Sequence, residues 1–515
     1  MTSRTRRQLL RDASIAALGI GLAGPLAGCG DDTVSSTSTW WPTQSPGSAA
    51  LDDLAKQISG GVLRPGDAGY GPTSLPANGR FRSIRPAAIA RCNNAADVAA
   101  AVTWSADNGL APTVRGGGHS YSGFSTSPDL ILDVSSMNSV TVDMAAGTIT
   151  TGGSALNGDI LDFTTGGPVF LPGGTCRGVG VGGLALGGGI GYNAHWAGLT
   201  SDLMVASTIV TADGEVRTLS ASEHDDLFWA CRGGAGGNFG VNTQFTFALT
   251  DAPRDDISFY RFEWTGAERA AQVLATFDQM LVDAPAALNA VAMAEATSID
   301  GGSPRDAISV MSRGQYIGPI EELGDLVAPL LAVDEPDSTT LKTLAFWDAQ
   351  EGFASGASAN HSWGDISRYA AQPIPASAVD ELVDLLVECP HRSADANGSL
   401  WSLGWIGGDV IDKFDRTETA YVHRGMNTLW RPTTVWPNDA NPSVGRDLNE
   451  WTAAMIGVLA PHTPPESYQN FPNRDIVDPL EEYYAENLDR LIDIKTDYDP
   501  TDLFTNPQGI PIRSG

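Results

Sequence analysis

Apolar residues recur along this chain in two rhythms, and the changes of rhythm mark its parts. Leu51, Leu54, Ala55 and Ile58 share one face of a short helix over residues 51–59. Residues 60–80, rich in Gly and Pro, read as loop. A β-α-β pattern follows: Ser83–Arg91 is strand-like, Asn94 caps a helix over Ala95–Asp107, and Ala111–Arg115 is the next strand. Strand alternation resumes in Leu130–Val134 and Ser139–Thr151, a hairpin turning near Ala146-Gly147. It returns in Leu203–Thr211 and Glu215–Leu219, which flank Ala212-Asp213-Gly214, and in Phe239–Leu249.

Beyond residue 256 the two rhythms mix. Ile257–Trp264, Leu400–Ile406 and Thr417–His423 read as strands; Ala267–Val282, Pro319–Ala332 and Ser377–Val387 read as helices. They predict an antiparallel sheet covered by helices. Residues 446–460 form a further helix, and the tail 478–497 is helical up to Asp499-Pro500. No internal repeat is present.

Composition narrows the partners. The 515 residues carry 31 Lys+Arg against 61 Asp+Glu, a net charge of −30. A polyanion partner needs a basic surface, so nucleic acid is excluded. Five cysteines exclude a disulfide scaffold. The seven histidines are scattered, without HExxH or paired-Cys spacing, and no metal site is expected. The 58 glycines exceed the usual share of roughly 7%.

The first residues read as an address. Arg4, Arg6, Arg7 and Arg11 precede Ala13–Ala27, an apolar stretch too short for the roughly 20 residues a bilayer needs. TRRQLLR (5–11) resembles a twin-arginine export signal, and Leu26-Ala27-Gly28-Cys29 resembles a lipobox, which makes Cys29 the lipidation site. Residues 30–50, rich in Ser, Thr and Pro, read as a tether.

Most of the glycine excess lies in 116–123 and 152–191, with a smaller cluster at 233–240. Val, Leu, Ile, Phe and Tyr stand between these glycines, so the blocks are packed backbone, not linker. Gly178, Gly180 and Gly183 satisfy G-x-G-x-x-G, but the motif should open a helix and here runs into LALGGGIG, poor helix material. Gly118-His119-Ser120-Tyr121 starts like a nucleophile elbow, yet its fifth position is Ser122.

A third reading rests on His119 and Cys176 together. RGGGHSYSGFS (115–125) resembles the flavin-attachment segment of FAD-linked oxidases with a vanillyl-alcohol-oxidase-type FAD domain. PGGTCRGVGVGGLALGGGIG (172–191) resembles the second block of their berberine-bridge-enzyme-like branch. DLFWACRGGAGGNFGVNTQFTF (226–247) is similar to its third block, and 483–510 to its C-terminal segment. The middle of the chain joins them mainly through TAYVHR (419–424).

The resemblance implies an α+β fold with a two-part FAD domain. Its parts are an export signal (1–28), tether and linker (29–75), FAD-binding domain (76–253), substrate domain (254–460) and a segment returning to the FAD domain (461–515). It implies a histidyl bond from His119 to the 8α carbon of FAD and a cysteinyl bond from Cys176 to carbon 6. Imidazole and thiolate are suitable nucleophiles for an electron-poor ring. It further implies cofactor contacts from Arg115, Gly116, Gly117, Gly118, Ser120, Tyr121, Gly182, Gly183, Gly187, Gly188, Asp202, Asn238, Val241, Tyr483 and Asn487. Val179 marks an open path for dioxygen.

Carbohydrate-oxidising relatives carry a tyrosine base as the second aromatic of Y-x-N-Y; here that position is Phe471, after Tyr468. Tyr468, Tyr421, His423 and Tyr316 are the replacement candidates. Trp401, Trp405 and Trp430 are either core residues or walls for a ring substrate. The expected protein is an exported, lipid-anchored, monomeric oxidase of the cell envelope. It takes a small-molecule substrate and dioxygen and meets the membrane only through its anchor. The alternatives are an oxidative cyclase or tailoring enzyme and an electron-transfer flavoprotein.

Overall fold

The computed structural model describes residues 46–299, 301–354 and 361–513. The export signal, the lipobox cysteine Cys29 and most of the tether lie outside them. Three larger sheets organise the rest. The first has four strands in the order Val62–Leu63, Ala88–Arg91, Leu130–Asp133, Thr113–Arg115, the last three parallel. Helix Ala95–Asp107 makes the crossover, and the Asn94 side chain accepts from the Asp97 amide at its N-terminus. The second sheet is antiparallel, in the order Val140–Asp143, Thr148–Gly152, Val241–Ala248, Met204–Val210, Val216–Ser220.

The third sheet is antiparallel. Its order is Ser338–Leu344, Ile257–Thr265, Ile308–Tyr316, Leu288–Ala296, Asn397–Leu403, Thr428–Pro437, His361–Asp365, and Arg368–Ala370 also pairs with Thr428–Pro437. The period of two in its strands separates two faces. Tyr260, Phe262, Ala290 and Ala292 pack under helices Ala267–Met280, Ile320–Leu331, Ala376–Val387 and Pro442–Leu459. Phe277 and Leu382 are fully buried in that layer, and truncating either to Ala would cost roughly 2–5 kcal/mol. Ile257, Val291 and Leu403 turn the other way, toward Tyr192, Leu199 and Tyr421.

The chain end returns to the second sheet. Tyr483, Tyr484, Leu491 and Ile494 share an apolar cluster with Ile149, Phe245 and Phe247. Lys495, fully buried, is matched by Asp499 at 2.6 Å, and its ammonium also donates to the carbonyls of Asn238 and Phe504 at 2.8 and 2.6 Å. A buried ammonium is tolerable only with such a full set of acceptors.

The hairpin expected over 139–151 is present as Val140–Asp143 and Thr148–Gly152, and the expected strand Leu130–Asp133 lies in the parallel sheet. Other expected elements change. Val181–Leu186 is a six-residue helix, although LALGGGIG reads as poor helix material; Gly187 ends it. Thr417–His423 is not a strand. Its carbonyls are taken by a side chain instead: the Asn487 amide donates to Arg416, Thr419 and Ala420, and the Tyr421 N–H donates to Arg232. The tail helix is two pieces, Pro479–Tyr484 and Leu488–Tyr498, broken where Ala485 adopts φ 41°.

Candidate active site

A cavity of about 530 Å³ lies between glycine-rich loops and the third sheet. That volume is in the range of ordinary cofactor and substrate pockets, roughly 300–1,000 Å³. One wall comes from Gly116–Tyr121, from Gly174–Cys176 with Val179, Gly180, Gly182 and Gly183, and from Ala235–Asn238. The other comes from Arg313, Trp401, Leu403, Trp405 and Arg431. Tyr192, Tyr468–Pro472 and Tyr483 close the ends.

The glycines bring backbone against backbone. A Cβ on Gly117 would sit 2.5 Å from the Gly180 nitrogen, and one on Gly180 would sit 2.8 Å from the Gly117 nitrogen. The loops carrying His119 and Cys176 can therefore touch only because neither has a side chain there. Gly183 and Gly237, both on the wall, have nothing within 4 Å of the missing Cβ. Arg115 braces the first loop from behind: its guanidinium donates to the carbonyls of Ser125 and Thr73 at 2.8 and 2.6 Å. The second loop is held by the start of helix Asn157–Thr164. The Asn157 and Gly158 amides donate to the Val179 and Arg177 carbonyls, both at 2.9 Å, and the Asn157 side chain donates to the Cys176 carbonyl at 3.1 Å.

His119 and Cys176 both face this one cavity. Burial holds the His119 imidazole below its usual pKa, so the ring is neutral at pH 7 and keeps a nucleophilic lone pair. Its Nε2 would stand 3.0 Å from a Cβ on Gly178, so Gly178 leaves it room. The other described cysteines differ. Cys92, Cys231 and Cys389 are buried, and burial pushes their thiols up to about 12, 12 and 11, which makes them inert.

Of the other residues implied for the cofactor, Gly116, Gly117, Gly118, Ser120, Tyr121, Val179, Gly182, Gly183, Asn238 and Tyr483 are on the cavity wall. Arg115, Gly187, Gly188, Asp202, Val241 and Asn487 are not. Gly187 and Gly188 make room for Asn470 and the Tyr421 ring, whose atoms would meet added Cβ atoms at 2.3 and 2.6 Å. Asp202 is buried in a two-pronged pair with Arg424, both contacts at 2.7 Å. Val241 is a core residue of the parallel-sheet cluster. Asn487 is spent on the three carbonyls named above.

The replacement bases separate as clearly. Tyr468 lines the cavity, but its oxygen accepts from the Gly189 and Ile190 amides at 3.0 and 3.4 Å and from the Asn470 side chain at 3.0 Å. It anchors the glycine loop. Tyr421 hydrogen-bonds Tyr369 at 2.8 Å behind the wall. His423 is buried between Glu466 at 2.7 Å and Gln469 at 3.1 Å. Tyr316 bonds Glu322 at 2.7 Å near the surface. Trp401 and Trp405 line the cavity, whereas Trp430 belongs to the core under the helices.

Other groups on the wall did not stand out in the sequence. Arg431 is gripped by the fully buried Asp365 at 2.6 Å, lies 4.3 Å over the Phe471 ring and donates to the Tyr121 hydroxyl at 3.2 Å. Tyr121 and Phe471 meet edge to face, with centroids 5.1 Å apart. Arg313 donates to the Tyr192 hydroxyl and lies over its ring. Burial raises the phenols of Tyr121 and Tyr192, while the neighbouring guanidinium works to lower each.

These residues fit FAD. The side-chain-free loops offer backbone N–H groups to a pyrophosphate, and two nucleophiles share the cavity. The Ser125 hydroxyl and the Trp405 N–H, both on the wall, are buried without hydrogen-bond partners, as expected where a polar ligand completes the site. His119 and Cys176 would hold the flavin ring covalently.

The FAD binding domain family matches residues 86–220, and the family described as berberine and berberine like matches residues 467–511. The FAD-linked oxidoreductase YgaK of Bacillus subtilis (strain 168) is 31% identical, over 83% of this chain and 91% of its own. Glucooligosaccharide oxidase of Sarocladium strictum is 29% identical, over 82% of this chain and 86% of its own. Among solved structures, glucooligosaccharide oxidase from Acremonium strictum, with its 6-S-cysteinyl, 8α-N1-histidyl FAD, superposes at a TM-score of 0.79 and 24% identity, over 91% of this chain and 99% of that one. That likeness carries the α+β fold. With FAD as its cofactor, this chain belongs to the FAD-linked oxidoreductases of the berberine-bridge-enzyme-like family.

Proposed function

We propose that the protein is an oxidase that removes a hydride from a CH–OH or CH–NH carbon of a small molecule. FAD, when bound, supplies the two-electron acceptor, and dioxygen takes those electrons onward to give hydrogen peroxide. The observation that carries this reading is the meeting of His119 and Cys176 on one glycine-walled cavity. His119 would hold the flavin at its 8α carbon and Cys176 would hold it at carbon 6. Both residue types match the linkage named for glucooligosaccharide oxidase. Oligosaccharides are therefore the first substrate class to test. That comparison favours the oxidase over the cyclase and electron-transfer alternatives. Val179, small and on the wall, leaves room for dioxygen.

With Phe471 in place of the usual base, Tyr121 is our candidate for the proton. Its hydroxyl touches Arg431, which also covers the Phe471 ring. Burial raises this phenol and the Arg431 guanidinium opposes the rise, so Tyr121 would take the substrate proton in its ionised form, at alkaline pH. Residues 76–253 and 461–515 would form the FAD domain around the inserted 254–460. The protein would work as a monomer, exported by the twin-arginine route and anchored through a lipid on Cys29.

Acid precipitation tests the covalent claim: yellow colour should stay with the denatured protein, and free FAD in the supernatant would refute it. A peroxide-coupled screen of oligosaccharides, alcohols and amines tests the oxidase. Cys29→Ser should move the protein from the membrane fraction to the soluble one; continued membrane retention would count against the anchor.

A further inference from the structure

The charge of the cavity wall runs against the charge of the protein. The chain carries 61 Asp+Glu, yet among the described residues no Asp, Glu or Lys lines the cavity, and the fixed cations there are Arg313 and Arg431. Those two arginines are not equivalent. Arg431 is neutralised by Asp365. Among the described residues Arg313 has no ion pair, and its Nε is buried without a hydrogen-bond partner. Its guanidinium donates to the Tyr192 hydroxyl and lies 5.3 and 5.6 Å from the ring centroids of Tyr192 and Phe353.

Sheet register fixes where that charge points. Arg313 sits mid-strand, directly opposite Val291 on one side and Arg261 on the other. Val291 is in turn opposite Leu403, a cavity residue. Like charges facing each other across a strand are unfavourable. Arg261 is compensated by Glu263; Arg313 is not. A half-sequestered cation on flat aromatic rings, with a donor left over, is an incomplete ion pair. A carboxylate completes it, because the guanidinium fork matches both of its oxygens.

We propose that Arg313 is the anion subsite of this cavity and that the substrate carries a carboxylate, as in a sugar acid or another hydroxy acid. The inference rests on the oxidase reading for the identity of the ligand as substrate, and on the wall alone for its charge. Arg313 is then a specificity-determining residue.

The test uses the flavin-loaded protein and twin ligands that differ in one group, D-glucuronate against D-glucose and D-galacturonate against D-galactose. Anaerobic titrations follow the visible flavin spectrum. The carboxylates should bind at least about 10-fold more tightly than their neutral twins, the factor a charge-assisted hydrogen bond supplies. Added salt should erode that preference. Arg313→Gln should collapse it to near parity, and Arg313→Lys should keep part of it; thermal midpoint and retained flavin colour show that both variants fold. Tyr192→Phe should keep the preference, which separates recognition by Arg313 from an effect routed through the phenol. No preference for either acid, or an unchanged preference in Arg313→Gln, overturns the proposal. Peroxide release from these and the screened compounds is scored separately: silence there defeats the oxidase reading, and the titrations still decide the anion subsite.

Discussion

On our proposal Tyr121 and Arg431 take over the work of a missing side chain. Phe471 has no proton to exchange, but Arg431 covers its ring and donates to the adjacent Tyr121 hydroxyl at 3.2 Å. Burial raises the Tyr121 phenol and Arg431 opposes the rise. If ionised Tyr121 takes the substrate proton, flavin reduction should quicken as pH climbs into the alkaline range. Arg431→Met removes the opposing charge, so the climb should move to still higher pH. Tyr121→Phe should slow anaerobic flavin reduction by roughly 10²–10⁴-fold, the usual worth of a positioned base. A Tyr121→Phe enzyme with wild-type reduction rates and an unchanged pH profile would remove Tyr121 from the mechanism.

At the scale of elements, the site depends on two loops that meet without side chains. Gly117→Ala would place a methyl 2.5 Å from the Gly180 nitrogen, a backbone atom that cannot rotate away. The loops would separate, at a cost of about 1–3 kcal/mol, and His119 and Cys176 would lose their common alignment. A lower unfolding midpoint and a lower ratio of protein-bound flavin to protein are expected together. Full flavin loading at an unchanged midpoint would mean that the loop contact does not matter.

The same elements explain what the sequence made visible. His119 and Cys176 sit in contiguous glycine-rich segments whose local chemistry is unusual, so they stand out in one dimension. Arg313 and Arg431 are single residues in ordinary strands, and what they face depends on the register of each strand with its sheet neighbours. Leu288–Ala296 is alanine-rich and buried on both faces, so it lacks the alternation that betrays a strand. Asp202 and Asn487 have residue types that suit a cofactor site. Only the fold reveals Arg424 and the carbonyls of 416–420 as their partners.

On the scale of the whole molecule, acidity and stability are coupled at a few carboxyls. Asp278 joins helix Ala267–Met280 to two other segments: it accepts from the Ile374 amide at 2.9 Å and from the Thr428 hydroxyl at 2.8 Å. Burial outweighs these bonds and lifts its pKa to about 6, above the roughly 3.9 of an unfolded chain. The folded state therefore holds this proton more tightly. Its contribution is complete below about pH 4 and is lost as pH rises through 6, about 2–3 kcal/mol in all. Asp213 and Glu466 are lowered and act with the opposite sign, gaining stability over the acid range as pH rises. The raw profile mixes these effects, and a difference between two proteins isolates one of them. Asp278→Asn keeps an acceptor for Thr428 but turns a donor toward the Ile374 amide, so it should be less stable at every pH. That penalty should be largest near pH 4 and shrink toward pH 7, because only wild type pays for ionising a buried carboxyl. Urea unfolding midpoints at pH 4, 5, 6 and 7 measure the difference; a penalty that stays constant, or grows with pH, would show that Asp278 does not hold its proton in the folded protein.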